Sequence, residues 1–178
     1  MSSRRSPSSP MPVQKILLYP HPLLKKLCHP VVSVDAEIIG LLQDLLDTMH
    51  AGPGSVGVAA PQIGVTLRVC VVDVSKSRNG KDNNHGLLQM INPEIAFRAG
   101  AAIMREGCMS VPDYTGDVER STEITVRFTD ENGAEREIAA SGFEAVAIQH
   151  EMDHLDGTLF LDRIASLKTG LFRRKSYK

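Results

Sequence analysis

Two histidines four residues apart, with a glutamate directly after the first, are the strongest chemical signal in this chain. The run reads His150-Glu151-Met152-Asp153-His154. At about 100° per residue, helix positions four apart lie roughly 40° apart on one face, so both imidazoles can bind one metal ion. The glutamate stays within the same half of the helix surface, where it can take a proton from water at the ion. The spacing predicts a catalytic metal site.

A catalytic site of this kind needs a third protein ligand and one coordination position left open for water. Cys108 is the best candidate, because the glycine before it in Arg105-Glu106-Gly107-Cys108-Met109-Ser110 lets the backbone approach closely. No regular periodicity around Cys108 suggests burial in a helix or strand. The remaining histidines have no partner at ligand spacing, and we expect surface or capping roles for them. They are His21, His29, His50 and His85.

A run of small residues, Gly57-Val58-Ala59-Ala60-Pro61-Gln62, precedes the candidate ligands in the chain. Its backbone could pair with an extended peptide by strand addition, and the Gln62 amide could serve as a hydrogen-bond donor. Close packing between two backbones would also explain a Gly-Ala run, so this segment alone does not identify a peptide-binding site.

Length and composition predict a single compact domain. The chain has 178 residues, 42% of them apolar, which fits one domain with its own core. We expect the catalytic metallohydrolase domain to span 11–167, after a disordered Ser-, Pro- and Arg-rich leader at 1–10. Residues 168–178 carry five basic residues and no acidic one, which is typical of a solvated tail.

Charge and cysteine content exclude few functions. Lysines and arginines number 20 against 21 acidic residues, so nothing supports specific nucleic-acid binding by the whole domain. No apolar run approaches the roughly 18 residues that a membrane helix requires, so we expect no membrane association.

Three widely spaced cysteines, Cys28, Cys70 and Cys108, suit a reducing compartment, and a cytoplasmic location is the default expectation. We expect Cys70 to be a small apolar core side chain.

Two helices are predicted from periodicity. One contains Ile38, Leu41, Leu42, Leu45 and Met49 at helical spacing, begins near Ser33 or Asp35 and ends before Gly52-Pro53-Gly54. The other, 143–156, carries the histidine pair and ends at Gly157.

Strands are predicted at 67–74, 87–91, 124–128 and 134–139, the last two joined by a turn at Asn132-Gly133. Hairpins without alternating crossover helices favour an α+β fold with largely antiparallel sheets packed around the central helix that carries the metal motif.

Three segments together resemble the peptide deformylase family: 57–62, 106–110 and 149–154, in the order and with the separations found there. The resemblance spans about residues 13–165 and includes further matching stretches at 19–23, 118–120 and 155–163. It implies removal of the formyl group from the N-terminal formyl-methionine of newly made bacterial or organellar polypeptides, with N-formyl-methionyl peptides as partners.

The same resemblance implies that Cys108, His150 and His154 hold one metal ion per chain. The physiological ion of the family is Fe²⁺, and Zn²⁺ binds but is usually less active. Two imidazoles and one thiolate also suit Co²⁺ or Ni²⁺, so ligand chemistry alone does not choose the metal. A thiolate on Fe²⁺ would make such an enzyme sensitive to oxygen.

The implied mechanism is attack of a metal-activated water on the formyl carbon. Glu151 receives the proton of that water and later delivers it to the leaving amine. The oxyanion is met by the metal, by the Gln62 side-chain amide and by the backbone N–H of Met109.

Substrate selection would follow from shape, because a tight site admits a formyl group and excludes an acetyl group. The positions that match the family's methionine pocket are Val56, Met109, Val146 and the ring of His150. The peptide beyond methionine would pair with the backbone around Val56 and Gly57 as an added strand.

Two positions depart from the family pattern. Ser55 stands where a glycine is expected, which puts peptide affinity in doubt if that position needs a positive φ or a close approach of substrate. Met109 replaces a leucine, a change that conserves volume and keeps the N–H. For Arg120 we favour a structural pair with Glu106 over a substrate contact, and for Asp153 a salt bridge or a supporting bond.

Two rival functions and one partner remain open at this stage. An endopeptidase could use Glu151 in the same way on an internal amide. A non-catalytic zinc module would need a fourth protein ligand, and the sequence offers three. The basic segment 168–178 could dock on the ribosome near the emerging chain.

Overall fold

The fold is α+β, as expected from the sequence. The computed structural model describes residues 15–174, so the leader at 1–10 and the last four residues of the basic segment lie outside the described residues. The helices are α1 (Ala36–Ala51), α2 (Gly142–Leu155) and the short α3 (Leu167–Gly170). Single turns of 3-10 helix lie at Pro22–Lys25, Ala60–Ile63 and Phe160–Arg163.

Two antiparallel sheets form the framework. One has five strands in the order β1-β2-β3-β6-β7, and the other has three in the order β4-β5-β8. The strands are β1 (Gly57–Ala59), β2 (Val69–Val72), β3 (Leu88–Ala99), β4 (Ala102–Cys108), β5 (Val111–Arg120), β6 (Glu123–Thr129), β7 (Glu135–Ser141) and β8 (Leu171–Arg173). All of the pairs between these named strands are antiparallel.

Helix α1 forms as its sequence predicts. The Asp35 side chain accepts a hydrogen bond from the Ile38 N–H at 3.1 Å and so caps the first turn. The helix buries one apolar face against β1 and β2. The buried members of that face include Ile38, Leu41, Leu42, Leu45 and Met49.

Helix α2 is central, and it lies within one residue of its predicted bounds. Every residue from Glu144 to Leu155 is buried, polar ones included, because the helix contacts β1, β2, β6 and β7. Gly157 follows with φ at +74°, the left-handed conformation that ends a helix at little cost only for glycine. Polar groups on this helix must therefore find partners inside the protein.

Three expectations from the sequence were wrong. β3 is 12 residues long and continues to Ala99, beyond the predicted end at residue 91, because the Asn92-Pro93 pair forms an irregularity inside the strand, with φ of Asn92 at +52°. Cys108 is the last residue of β4 and does not lie outside regular structure. The basic segment is not wholly solvated, because Leu171–Arg173 pairs with β5.

Residues 15–174 contain no helix that combines the length and the apolar character needed to cross a bilayer. The three cysteines are buried and free, and Cys70 is a fully buried core residue, as predicted.

Candidate metal centre and active site

Three candidate ligand atoms meet where α2 faces the end of β4. The ligand atoms of Cys108, His150 and His154 all lie within 4.8 Å of one another, and Cys108 Sγ is 3.4 Å from His154 Nε2. Adjacent turns of α2 place the two imidazoles edge to face, with ring centroids 5.2 Å apart. This group could hold one metal ion. Within the described part of the chain, no fourth histidine, cysteine or carboxylate joins the group.

A buried carboxylate oxygen beside this group has no hydrogen-bond partner among the described residues, as expected where a metal ion and its water would bind. Among residues 15–174, Glu151 Oε1 is buried with no hydrogen-bond partner, and a buried carboxylate oxygen without a partner is costly. Burial lowers the pKa of His154 well below its usual value, so its imidazole is neutral, as a metal ligand must be. One sulfur and two imidazole nitrogens are donors that suit a divalent transition metal.

A buried network fixes the orientation of His150. Its Nδ1 lies 2.8 Å from Glu106 Oε1, which leaves Nε2 to face the ligand group. Arg120 donates to both oxygens of Glu106, from Nε at 2.8 Å and from Nη2 at 2.9 Å, and it also donates to Asp153. Arg163 donates two further hydrogen bonds to Asp153. The expected pairing of Arg120 with Glu106, and the supporting role of Asp153, are confirmed.

Burial and the network shift the acid–base properties of this centre. Burial raises the pKa of Glu151 to about 7, where a carboxyl group can both accept and release a proton. Burial would also raise the pKa of Glu106, but hydrogen bonds from Arg120 and His150 outweigh it and lower that pKa to about 2. For His150 burial opposes the charge, yet hydrogen bonds with Cys108 and Glu106 raise its pKa. An ion on Nε2 would take the place of that proton.

Gln62 reaches the ligand group from the turn after β1. Its Oε1 accepts a hydrogen bond from the Ala59 N–H at 3.0 Å, so the amide orientation is set. Its Nε2 donates to Ser110 Oγ at 3.1 Å and faces Cys108 Sγ at 3.4 Å. The side chain is 1% exposed. A hydrogen-bond donor is therefore directed at the ligand group from the turn that follows β1.

A cavity of about 310 Å³ opens beside these groups. The sequence-predicted residues that line it are Val56, Gly57, Gln62, Cys108, Met109, Val146, His150 and Glu151. His154 belongs to the ligand group but is not among the lining residues, and it is 1% exposed. The sequence-predicted site residues thus come together in space.

Two of the lining positions show why small residues occur there. At Gly57 a Cβ would collide with the Glu151 carboxylate, so glycine permits their close approach. Ser55 also lines the cavity, and its Oγ lies 3.4 Å from the Gly57 carbonyl oxygen. Within the described residues the only non-glycine with positive φ is Asn92, so Ser55 causes no backbone strain.

Sequence reasoning missed several cavity residues. Ser110 follows Met109 in the segment that carries Cys108, and its hydroxyl accepts the Gln62 hydrogen bond. Phe143, Thr115, Arg105 and Arg174 also line the cavity. Arg174 lies 64 residues after Ser110, the end of the segment that carries Cys108, and nothing local signals its position.

The other histidines described by the structure lie outside the ligand group. His21 caps a 3-10 turn by accepting the Leu23 N–H at 3.2 Å. The ring of His85 pairs with Glu144. These contacts agree with the capping and surface roles expected from the sequence.

Comparisons with known proteins agree with this arrangement. The family described as polypeptide deformylase matches residues 13–170. A peptide deformylase of Syntrophobacter fumaroxidans is 41% identical over 165 residues, which cover 93% of this chain and 94% of the relative.

Solved structures give the same result. The peptide deformylase of Ehrlichia chaffeensis in complex with actinonin superposes with a TM-score of 0.82 at 37% identity, covering 89% of this chain and 92% of that one. The Met-Ala-Ser-bound class I type b peptide deformylase of Acinetobacter baumannii superposes with a TM-score of 0.78 at 32% identity. The superposition covers 85% of this chain and 98% of that one. With its fold, its ligand group and these relatives, the chain belongs to the polypeptide deformylase family of enzymes.

Proposed function

We propose that this chain removes the formyl group from the N-terminal formyl-methionine of nascent polypeptides, with a metal ion held by Cys108, His150 and His154. The observation that carries the proposal is the convergence of these three ligand atoms within 4.8 Å, beside a cavity lined by Cys108, His150 and Glu151. We further propose Fe²⁺ as the native ion, with Zn²⁺, Ni²⁺ or Co²⁺ able to replace it, and a cytoplasmic location.

A divalent ion in this site would supply Lewis acidity, which polarises a water molecule and the formyl carbonyl group. Glu151 accepts the proton that the attacking water gives up and holds it on a carboxylate that burial has made more basic. It then delivers the proton to the methionine nitrogen as the C–N bond breaks. The products are formate and a free amino terminus.

Hydrogen-bond donors stabilise the negative charge that develops on the formyl oxygen. The Gln62 amide is held by Ala59 and Ser110, so it needs little reorganisation during the reaction. The backbone N–H of Met109 supplies the second donor. Each preorganised donor of this kind contributes about 3 to 4 kcal/mol to transition-state stabilisation.

The methionine side chain occupies the apolar part of the cavity, beside Val56, Met109, Val146 and the ring of His150. The peptide after methionine pairs with the backbone at Val56 and Gly57 as an added strand. Support comes from the relative of Acinetobacter baumannii with Met-Ala-Ser bound, since that tripeptide is what deformylation of formyl-Met-Ala-Ser would leave.

The direct test is turnover of formyl-Met-Ala-Ser against acetyl-Met-Ala-Ser by anaerobically purified, metal-loaded protein. We expect formate release from the formyl peptide only, and near-complete loss of activity in Glu151→Ala with the metal retained. Equal turnover of both peptides, or full activity in the variant, would refute the proposal. Cleavage of unformylated peptides at internal bonds would favour the endopeptidase alternative.

The basic C-terminal segment is proposed as a ribosome contact. Because Leu171–Arg173 is part of the sheet, deletion of the segment would disturb the fold. Charge reversal at Lys168, Lys175 and Lys178 leaves the strand in place. We expect weaker co-sedimentation with ribosomes and unchanged turnover of short peptides. Unchanged co-sedimentation would contradict the proposed contact with the ribosome.

A further inference from the structure

A second cavity lies against a different face of helix α2 from the catalytic one. Its volume is about 410 Å³, and it shares no lining residue with the catalytic cavity. The helix contributes Gln149, Met152, Asp153 and Asp156 to its wall. These four positions recur at helical spacing and so share one face of α2. The second cavity is therefore separate from the proposed reaction site.

A buried arginine of the network around His150 lines this second cavity. Arg120 is 4% exposed, and three of the five N–H groups of its guanidinium bind Glu106 and Asp153. The other two N–H groups have no hydrogen-bond partner within residues 15–174. A buried donor without an acceptor is costly, so an acceptor group in a ligand would be favourable there.

Two carboxylates in the wall of the second cavity are already paired within the protein. Asp153 accepts hydrogen bonds from Arg120 and Arg163, and both of its oxygens are used. Asp156 forms an ion pair with Arg68 at 2.9 Å. Neither carboxylate therefore needs a charged partner from a ligand.

Two further charged residues line the second cavity without a partner of opposite charge. Arg98 in β3 has one side-chain hydrogen bond, from Nη1 to the neutral amide oxygen of Gln149 at 3.3 Å. Among the described residues, the side chain of Glu119 in β5 forms no hydrogen bond or ion pair. Because β3 and β5 belong to different sheets, each sheet contributes one unbalanced charge to the cavity.

A small ligand that carries both a carboxylate and an ammonium group matches these two charges. A guanidinium binds a carboxylate through a planar pair of N–H donors, and the Glu119 carboxylate can accept hydrogen bonds from an ammonium group. The apolar lining residues Ile95, Ala101 and Met152 suit an apolar side chain. An α-amino acid combines these three features, and the cavity has the volume of an ordinary small-molecule site.

We propose that the second cavity binds an α-amino acid with an apolar side chain. Its carboxylate binds Arg98 and the two remaining N–H groups of Arg120, and its ammonium group binds Glu119. The inference goes beyond the proposed function and does not depend on it, because none of these residues lines the catalytic cavity.

The test is isothermal titration calorimetry of the full, Zn²⁺-loaded chain with three related probes. L-leucine carries both charges, N-acetyl-L-leucine lacks the ammonium group, and L-leucinamide lacks the carboxylate. We expect leucine to bind with a Kd of about 1 mM or lower. Each derivative should bind at least about tenfold more weakly, because each leaves one charged group of the cavity without its partner.

Variants of the two exposed residues locate the ligand and assign its groups. Arg98→Gln should weaken leucine binding and remove the preference for leucine over leucinamide. Glu119→Gln should weaken leucine binding and remove the preference for leucine over N-acetyl-leucine. Arg127→Gln is the matched control, because it removes an exposed charge that lines neither cavity, and it should leave leucine binding unchanged.

No binding of leucine at millimolar concentrations, or equal binding of all three probes, would overturn the inference. Leucine binding that persists unchanged in Arg98→Gln and Glu119→Gln would place the ligand elsewhere, at the metal or in the catalytic cavity, and would also overturn it. Failure to turn over any formyl peptide would instead contradict the proposed function and would leave the binding result unaffected.

Discussion

The carboxylate of Glu151 lies against the backbone of Gly57, so closely that a Cβ at residue 57 would fall 2.7 Å from Glu151 Oε2. β1 and α2 thereby hold the proposed proton carrier between them. The contact explains a glycine in this strand by its close approach to a catalytic group. It also makes the position of the carboxylate sensitive to a single methyl group.

Gly57→Ala should displace the Glu151 carboxylate without preventing folding. We expect kcat/KM for a formyl peptide to fall about 10- to 100-fold, the loss typical of a misplacement near 1 Å. Gly40→Ala is the control, because a Cβ there meets nothing within 4 Å. It should keep full activity and stabilise α1 by roughly 0.5 to 1 kcal/mol in denaturant unfolding. Equal activity in the two variants would contradict the role given to the contact.

Glu106→Gln should weaken metal binding through His150. The change removes the charge that Arg120 and His150 share, so His150 is held less firmly. We expect metal affinity, measured by chelator competition, to fall about 10- to 100-fold. Glu137→Gln breaks an exposed pair with Arg127 and should leave metal affinity unchanged. Wild-type affinity in Glu106→Gln would show that the network does not support the ligand.

Thiol alkylation should single out Cys108 in the metal-free protein. Burial raises the pKa of Cys28 to about 11 and raises the pKa of Cys70 well above its usual value, so neither forms the reactive thiolate near neutral pH. Cys108 lines the cavity. Mass spectrometry should find iodoacetamide label on Cys108 alone, and loading with Zn²⁺ should block it. Labelling that metal does not affect would argue against the sulfur ligand.

Alkaline pH should destabilise the fold in part through Cys28. In the folded protein its pKa is about 11 against 9.0 for the unperturbed thiol, with burial as the main cause. The stabilisation is fully present below pH 9 and is lost as pH rises to about 11, because only the unfolded thiol ionises in that range. Cys28→Ala should therefore lose less unfolding free energy than the wild type between pH 9 and 11, by about 2 to 3 kcal/mol. If the unfolding free energies of the wild type and Cys28→Ala fell in parallel between pH 9 and 11, the role given to Cys28 would be contradicted.

Local patterns predicted the helices and the motif residues, because helical spacing and capping act over a few neighbours. Asp35 caps α1, and α2 carries both imidazoles as expected. The pairing of Arg120 with Glu106 could also be anticipated, since both side chains lie in segments that resemble the family.

Features that depend on distant parts of the chain could not be predicted. The irregularity at Asn92 in β3 is held by side-chain hydrogen bonds with the Val31 backbone, which no local signal reveals. The placement of Cys108 at the end of β4 and of Arg174 in the cavity depends on sheet pairing among β4, β5 and β8.

X-ray absorption spectroscopy of the metal-loaded protein tests the central claim most directly. Chains reconstituted anaerobically with one equivalent of Fe²⁺ or Zn²⁺ should show one sulfur and two imidazole nitrogens on the metal, with the remaining coordination from oxygen. Cys108→Ser should remove the sulfur signal, and Cys70→Ser should retain it. A wild-type spectrum without sulfur, or with a fourth protein nitrogen or sulfur, would contradict the proposed catalytic metal centre.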